Sequence, residues 1–385
     1  MKKHIAILVI FMLLTFMIPK PCAADGAPDL SRASAALLYN TDTGSVIIEK
    51  NASEKVEVAG LKRLPALLTV CRAFDKGLIS GDTVVTVTSE AASIKGATAF
   101  LAPNENISAE LLLKAAVMLT AGDAVCSLLR SLYPSEATAL MEVNKTLSEI
   151  NAGKLESDSM GSSDKLSLYD LSRICSALKD SEAFLKYSSV YHDSLEHEKA
   201  SATELTNPNR LVRFYSGCFG LATGSVGAGQ YAGAFIARRG TTTFLAITAG
   251  MPDSASRFKL ASDMLDYGFS SFRTVTIGSV GDMVGSISVV GGTDKTVDAV
   301  TSGTVTALMP VSDTKLVTET LLPDLITAPI KEGDAVGTLI LKNSNDEKVG
   351  EVTLVAKRSV DKASFKDYFM RILTVWLNIK EDPSD

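Results

Sequence analysis

The sequence predicts an α+β fold: an antiparallel sheet with a helical insertion, then a small all-β domain and a terminal amphipathic helix. Three observations predict it. Hairpin signals stand at both ends of the stretch that closes near Tyr267, and helical periodicity fills the space between them. After Phe272 the text changes to short alternating runs of Val, Thr, Ser and Gly.

The 385-residue chain is 46% hydrophobic and 21% charged with a formal charge of −6, a globular balance that excludes disorder and collagen-like repeats. A sequence pI near 5.3 and 6% aromatic content provide neither the basic footprint nor the stacking surface of a nucleic-acid binder.

Lys2 and Lys3 precede an apolar run from Ile5 to Ile18, broken by Pro19 and Pro21 and followed by Cys22-Ala23-Ala24. A basic start, a short apolar core and a small-residue site predict a secretory leader over residues 1–24 and an exported chain. The alternative is a retained membrane anchor. The remaining cysteines, Cys71, Cys126, Cys175 and Cys218, are widely spaced with no Cys-x-x-Cys pair, which predicts core thiols, leaves a single disulfide open and indicates no zinc site. His192 and His197 sit in the charged stretch YHDSLEHEK, expected to be a solvated helix or loop, and no metal or cofactor is expected.

The domain expected over residues 25–272 begins with a hairpin, Ala35 to Glu49, turning at Asp42-Thr43-Gly44. Apolar periodicity predicts one helix from Ala59 to Lys76, stopped by Gly77. Thr83 to Thr88 is a Val/Thr-rich strand. Ser108 caps a helix with apolar residues continuing through Leu129, and helical patterns dominate to about Lys186. Gln230 to Gly250 is a second hairpin, turning at Arg238-Arg239-Gly240, and Arg257 to Tyr267 a closing helix. Residues 273–362 predict the all-β domain of roughly ninety residues. In the tail, residues 363–385, Phe365, Phe369, Ile372, Trp376 and Ile379 form an apolar stripe beside Lys366 and Arg371. That stripe is too short and too charged to span a bilayer, which leaves a membrane-surface helix or a helix packed on the β domain.

Several segments in order resemble the D-alanyl-D-alanine carboxypeptidases, the low-molecular-mass penicillin-binding proteins: SAALLYNTDTGSVIIEKNASEK, TVVTVTSEAASIKGATAFLAPNENISAELLLKAAV, TNPNRLVRFYSGCFGLATG and SRFKLASDMLDYGFSSF. The resemblance implies a β-lactamase/transpeptidase-like N-terminal domain, a membrane-surface anchor at the tail, and a serine peptidase working through Ser-x-x-Lys, Ser-x-Asn and Lys-Thr-Gly on peptidoglycan stem peptides. The positions that register assigns to those motifs carry other residues. Gly60 stands for the nucleophilic serine and Arg63 for the lysine. Thr120 and Gly122 stand for the serine and asparagine of the second motif. In the third, Ala222 replaces the lysine while Thr223 and Gly224 persist. Glycine has no nucleophile and arginine stays protonated, so no catalytic residue is intact and acyl-enzyme chemistry is excluded at these positions.

Ser-x-x-Lys recurs at Ser162/Lys165, Ser176/Lys179, Ser312/Lys315 and Ser359/Lys362, but at none of the expected places. The expectation is therefore a vestigial groove lined by Arg63, Thr120, Thr223 and Gly224, roomier for the loss of side chains at 60 and 222. Arg63 would either bind the carboxylate of a stem peptide or pair internally with an acid such as Asp123. Thr120 is expected to be a helix cap or a packed loop hydroxyl. The expected partners are peptidoglycan stem peptide or cell-wall proteins.

Overall fold

The structure is a computed structural model that describes residues 26–376 except 199, 228 and 314. The leader expected over residues 1–24, and Ile379 of the tail stripe, lie outside the described residues.

Strands β1 (Ala35–Asn40) and β2 (Ser45–Lys50) form the first hairpin. Buried Asn40 closes its turn by accepting the Thr43 N–H at 2.9 Å, and Gly44 supplies the left-handed residue at φ +74°. A 3₁₀ turn, Ala59–Arg63, then leads into α1 (Leu64–Asp75). The single helix expected from Ala59 is therefore two pieces. Pro65 has no N–H and is accepted only in a first helical turn, which starts the α-helix at Leu64 and leaves the preceding residues in the tighter winding.

The insertion continues with β3 (Val84–Thr86), α2 (Ser89–Ala92), β4 (Asn106–Ser108), α3 (Ala109–Leu119), α4 (Gly122–Leu132), α5 (Glu136–Glu149), α6 (Leu168–Lys179) and α7 (Glu182–Ser188). Ser108 caps α3 as its sequence suggests, its Oγ accepting the Leu111 N–H. The apolar run does not continue as one helix, because Thr120 takes a left-handed backbone at φ 52° and turns the chain. The segment around the histidines forms a hairpin of β5 (His192–Leu195) and β6 (Thr203–Thr206). His192 is exposed on it, whereas the His197 side chain is only 4% exposed, with Nδ1 2.8 Å from Glu105 and Nε2 2.8 Å from Thr203. The solvated setting expected for both holds only for His192, since charged neighbours in sequence did not prevent His197 from finding polar partners inside.

The chain returns through α8 (Leu211–Phe214), β7 (Cys218–Gly220), β8 (Thr223–Ser225), β9 (Tyr231–Arg239) and β10 (Thr242–Met251) to α9 (Ser254–Ser271). The antiparallel sheet has the order β2-β1-β10-β9-β7, and β8 pairs the start of β9. It is covered on both faces, which is why its strands read as continuous apolar runs. Leu37, Ile236, Leu245 and Ile247 face a core shared with α1, α3 and α4, while Leu38, Phe235, Phe244 and Ala246 face α9 through Met264 and Leu265.

The C-terminal unit comprises β11 (Phe272–Gly278), β12 (Met283–Val290), β13 (Thr296–Thr301), β14 (Val305–Pro310), β15 (Val317–Leu321), β16 (Leu325–Thr327), β17 (Ala335–Lys342) and β18 (Lys348–Ala356). β11 pairs β14, and the remaining strands form a sheet in the order β15-β17-β18-β13-β12-β16 around Ile287, Val297, Leu341 and Leu354. Helix α10 (Phe365–Trp376) follows. Arg371 of α10 donates to the carbonyls of Gly292 and Thr293, whereas Phe365, Phe369, Ile372 and Trp376 are exposed.

Phe235 is fully buried, with its ring 5.6 Å from that of Phe258 in an edge-on arrangement. Phe235→Ala should cost about 3–5 kcal/mol by emptying the layer under α9. A denaturant midpoint shifted accordingly at unchanged slope checks this.

Candidate functional site

The 3₁₀ turn lies directly on β8. A Cβ built on Gly224 would stand 2.4 Å from the backbone N of Gly60, so the two backbones cross at a distance that only glycine at 224 permits. The reverse is not true at position 60. A Cβ there would meet the Thr223 carbonyl at 3.4 Å and the Gly224 Cα at 3.6 Å, ordinary contact distances, so this position has room for a small side chain and carries none. Ala222 is buried, and its carbonyl accepts the Ala234 N–H at 2.9 Å. Behind the strand Arg257, 5% exposed, donates through Nη1 to the carbonyls of Gly224 at 2.9 Å and Ala232 at 3.0 Å. Burial pushes its guanidinium down to about 10, Tyr231 opposing the shift and Arg210 adding to it.

Arg63 fills the other side of the groove. Nη1 donates to Ala97 O at 2.9 Å and Thr120 O at 3.3 Å, and Nη2 donates to Lys95 O at 2.6 Å. Glycines make the space for it. A Cβ on Gly122 would lie 2.7 Å from the Arg63 Cζ and 2.6 Å from Ile94 Cγ2, and one on Gly96 would lie 3.3 Å from Nη2. Gly122 also donates its N–H to Ala97 O at 2.8 Å, joining the same loop from below.

One expectation is corrected here. Arg63 does not form an ion pair with Asp123, because that carboxylate, 1% exposed, is taken by the backbone N–H groups of Ala99, Leu101 and Ala124. Asp123 acts on Arg63 only through space, raising a proton affinity that burial lowers more. The space beside Gly122 is occupied by the guanidinium, while position 60 keeps room for a small side chain. Thr120, buried, is the C-cap of α3, and its carbonyl rather than its hydroxyl meets Arg63.

Lys62, the neighbouring cation, donates to Ser162 O at 2.6 Å. Of the recurrent Ser-x-x-Lys pairs, Ser176/Lys179 lies on α6, where Lys179 bonds Asp180 at 2.6 Å and Ser176 lines a cavity beside Tyr39, Arg72 and Arg173, away from β8. All four described cysteines are free and buried, so the open disulfide is not formed, and no metal-holding cluster occurs among the described residues. Gly96 and Arg257 carry no motif signal. The pairing of an arginine at 63 with glycines at 96 and 122 is the one trace of the cradle that the text carries.

If the cradle is one unit, Gly122→Ala should cost roughly 1–3 kcal/mol through overpacking. The part of that cost due to the guanidinium, but not the part due to Ile94 Cγ2, should vanish in an Arg63→Ala background, giving a coupling of about 0.5 kcal/mol or more in a double-mutant cycle. Urea denaturation of the four chains measures it, and additive losses would contradict the shared cradle.

Residues 23–251 match the family model described as D-alanyl-D-alanine carboxypeptidase, and residues 272–362 match that of the penicillin-binding protein 5 C-terminal domain. The chain is 29% identical over 395 residues to D-alanyl-D-alanine carboxypeptidase DacF of Bacillus subtilis, covering 99% of this chain and 100% of that protein. It is 23% identical over 350 residues to DacC of Escherichia coli, covering 86% and 85%. Among solved structures, penicillin-binding protein 5 of Haemophilus influenzae superposes with a TM-score of 0.77 at 17% identity, covering 87% of this chain and 99% of that one. With one family model spanning most of the sheet-and-insertion unit and a second spanning the β-rich unit, the chain belongs to the D-alanyl-D-alanine carboxypeptidase family of low-molecular-mass penicillin-binding proteins.

Proposed function

We propose that this chain is a non-catalytic member of its family, exported behind a leader over residues 1–24, that serves peptidoglycan or cell-wall proteins by binding or regulation. The observation that carries the reading is Gly60 on β8. At the position where the family resemblance puts the attacking serine there is space for a side chain and no nucleophile. Arg63, in the base position, cannot accept a proton, and both of its terminal nitrogens are already bonded to carbonyls. Loss of a triad-type nucleophile alone costs on the order of 10⁶ in kcat, and here the base and the Lys-Thr-Gly cation are replaced as well. The second reading, an active carboxypeptidase trimming stem peptides, rests on the family assignment.

The mature protein should form no covalent adduct with penicillin by intact-mass spectrometry, and Gly60→Ser alone should form none either. The serine would have a place to stand but no group to take its proton. Acylation is expected only when Arg63→Lys, Gly122→Asn and Ala222→Lys accompany it, since the asparagine needs the volume that the guanidinium now fills. A stoichiometric adduct on the unaltered chain would refute the proposal.

We also propose that α10 holds the chain at a membrane surface without crossing the bilayer, consistent with the described helices, none of which is long and apolar enough to span one. Its contact with the β unit through Arg371 leaves Phe365, Phe369, Ile372 and Trp376 uncovered, with Trp376 81% exposed. At roughly 25 cal/mol per Å² of apolar surface, four such side chains support reversible attachment. Co-sedimentation with anionic liposomes should be abolished by truncation after Ala363 and weakened by Trp376→Glu. Equal binding by the truncated chain would make α10 a packing element only.

A further inference from the structure

The cavity between α1, α6 and β1 is lined by both signs of charge. It measures about 530 Å³, within the range of pockets that hold small ligands, and Tyr39, Arg72, Asp75, Arg173, Ser176 and Asp180 stand in its wall. Arg173, Ser176 and Asp180 fall at i, i+3 and i+7 along α6 and its C-cap, so they share one helix face. An apolar stripe at this spacing would pack on a neighbouring helix. This one carries a cation at one end and, about 10 Å along the helix, a carboxylate at the other.

The four charges are gathered in two pairs of like sign. Arg72 donates through Nη1 to Glu149 at 2.7 Å, and Arg173 through Nη1 to Asn151 O at 2.7 Å, so the end of α5 draws both guanidiniums together. Asp75 Oδ1 accepts the Ala183 N–H at 2.9 Å and Asp180 Oδ1 accepts the Lys179 ammonium at 2.6 Å, which sets both carboxylates at the turn between α6 and α7. Among the described residues neither arginine pairs with either aspartate, and each of the four keeps a terminal nitrogen or oxygen without a hydrogen bond. Tyr39 stands at the cationic end, where burial raises the proton affinity of its phenol and the charge of Arg173 opposes that rise. Ser176 lies between the ends, its Oγ buried with no hydrogen-bond partner among the described residues. A hydroxyl with no bond to break can turn by one rotamer toward the cavity that its residue lines.

We propose that this cavity binds a free amino acid as its zwitterion, the carboxylate meeting Arg72 and Arg173 and the ammonium meeting Asp75 and Asp180. Charges of both signs that share a cavity without pairing fit a ligand that carries both. A simple anion would leave the carboxylates unanswered, and a simple cation the guanidiniums. The planar donors of the two arginines orient the carboxylate, and the Ser176 hydroxyl is placed to bond the body of the ligand. The site is separate from the groove, since Arg72 follows Arg63 by nine residues, roughly 14 Å at helical rise. None of the cradle residues takes part, so the proposal stands or falls independently of the missing chemistry.

The test is equilibrium dialysis of the full chain against L-alanine and L-glutamine, each beside its N-acetyl derivative, which lacks the cation, and its amide, which lacks the anion. At least one of the two amino acids should bind saturably, with a dissociation constant at or below about 1 mM, and its two derivatives about tenfold more weakly or less. Arg173→Gln and Asp180→Asn, at side chains 48% and 69% exposed, should each weaken binding about tenfold. Ser176→Ala removes a hydroxyl that has no partner, so it should weaken binding while leaving the thermal midpoint unchanged or raised, which keeps the test valid if the charge variants disturb folding. The proposal is overturned if neither amino acid binds saturably, if a derivative binds as tightly as its parent, or if the three variants bind as the unaltered chain does.

Discussion

The backbone crossing between the 3₁₀ turn and β8 is the constraint on which the rest of the groove depends. Gly224 brings its Cα within reach of the Gly60 N–H, and that contact pins the start of α1 to an edge of the sheet. Once the turn is pinned, the direction of the Arg63 side chain is set, since it leaves the last residue of the turn toward the loop at 95–97. The glycines at 96 and 122 then leave the guanidinium a planar slot whose walls are carbonyl oxygens. Each element would accept an alternative on its own, but the set is mutually exclusive with an amide side chain at 122.

A guanidinium suits that slot where an ammonium would not. Its donors point in fixed in-plane directions, matching three carbonyls on two separate segments, whereas a lysine presents a compact charge that one or two oxygens would satisfy. Asp123 supports the same loop from the opposite side by accepting its N–H groups. Donors and acceptors of the 95–101 loop are thus answered by a cation and an anion that never touch each other. A buried direct ion pair would have had to overcome two desolvation costs for one contact.

Much of the fold was legible because hairpin turn chemistry and hydrophobic periodicity act locally. Asn40, Gly44 and Ser108 do in the structure what their sequence context suggests. The failures are tertiary. Nothing local in the run from Ser108 to Leu129 foretells a left-handed Thr120, a conformation held by its surroundings and by the bond from Arg63 to its carbonyl. His197 looked solvated because its neighbours in sequence are charged, and its imidazole is covered because Glu105 and Thr203 come from elsewhere in the chain or across a hairpin to meet it. At the site, the text shows the atoms lost at 60 and 222 but not that the space beside Gly122 is filled. The arginine that occupies it gains its partners only when loops distant in sequence converge.

The four buried thiols carry a consequence for durability. Cys71, Cys126 and Cys175 sit in helices of the larger core and Cys218 on strand β7, facing the core under α9, and burial raises the proton affinity of each, to about 11 for Cys126 and Cys218. Folded, they are neither accessible nor ionised, so oxidants find no thiolate to attack. Unfolded, all become ordinary thiols that in an oxidising compartment would cross-link in combinations the native core cannot accommodate. Transient opening would then be a one-way exit rather than an equilibrium, and the lifetime of this protein would be governed by how rarely its core opens rather than by how favourable closing is.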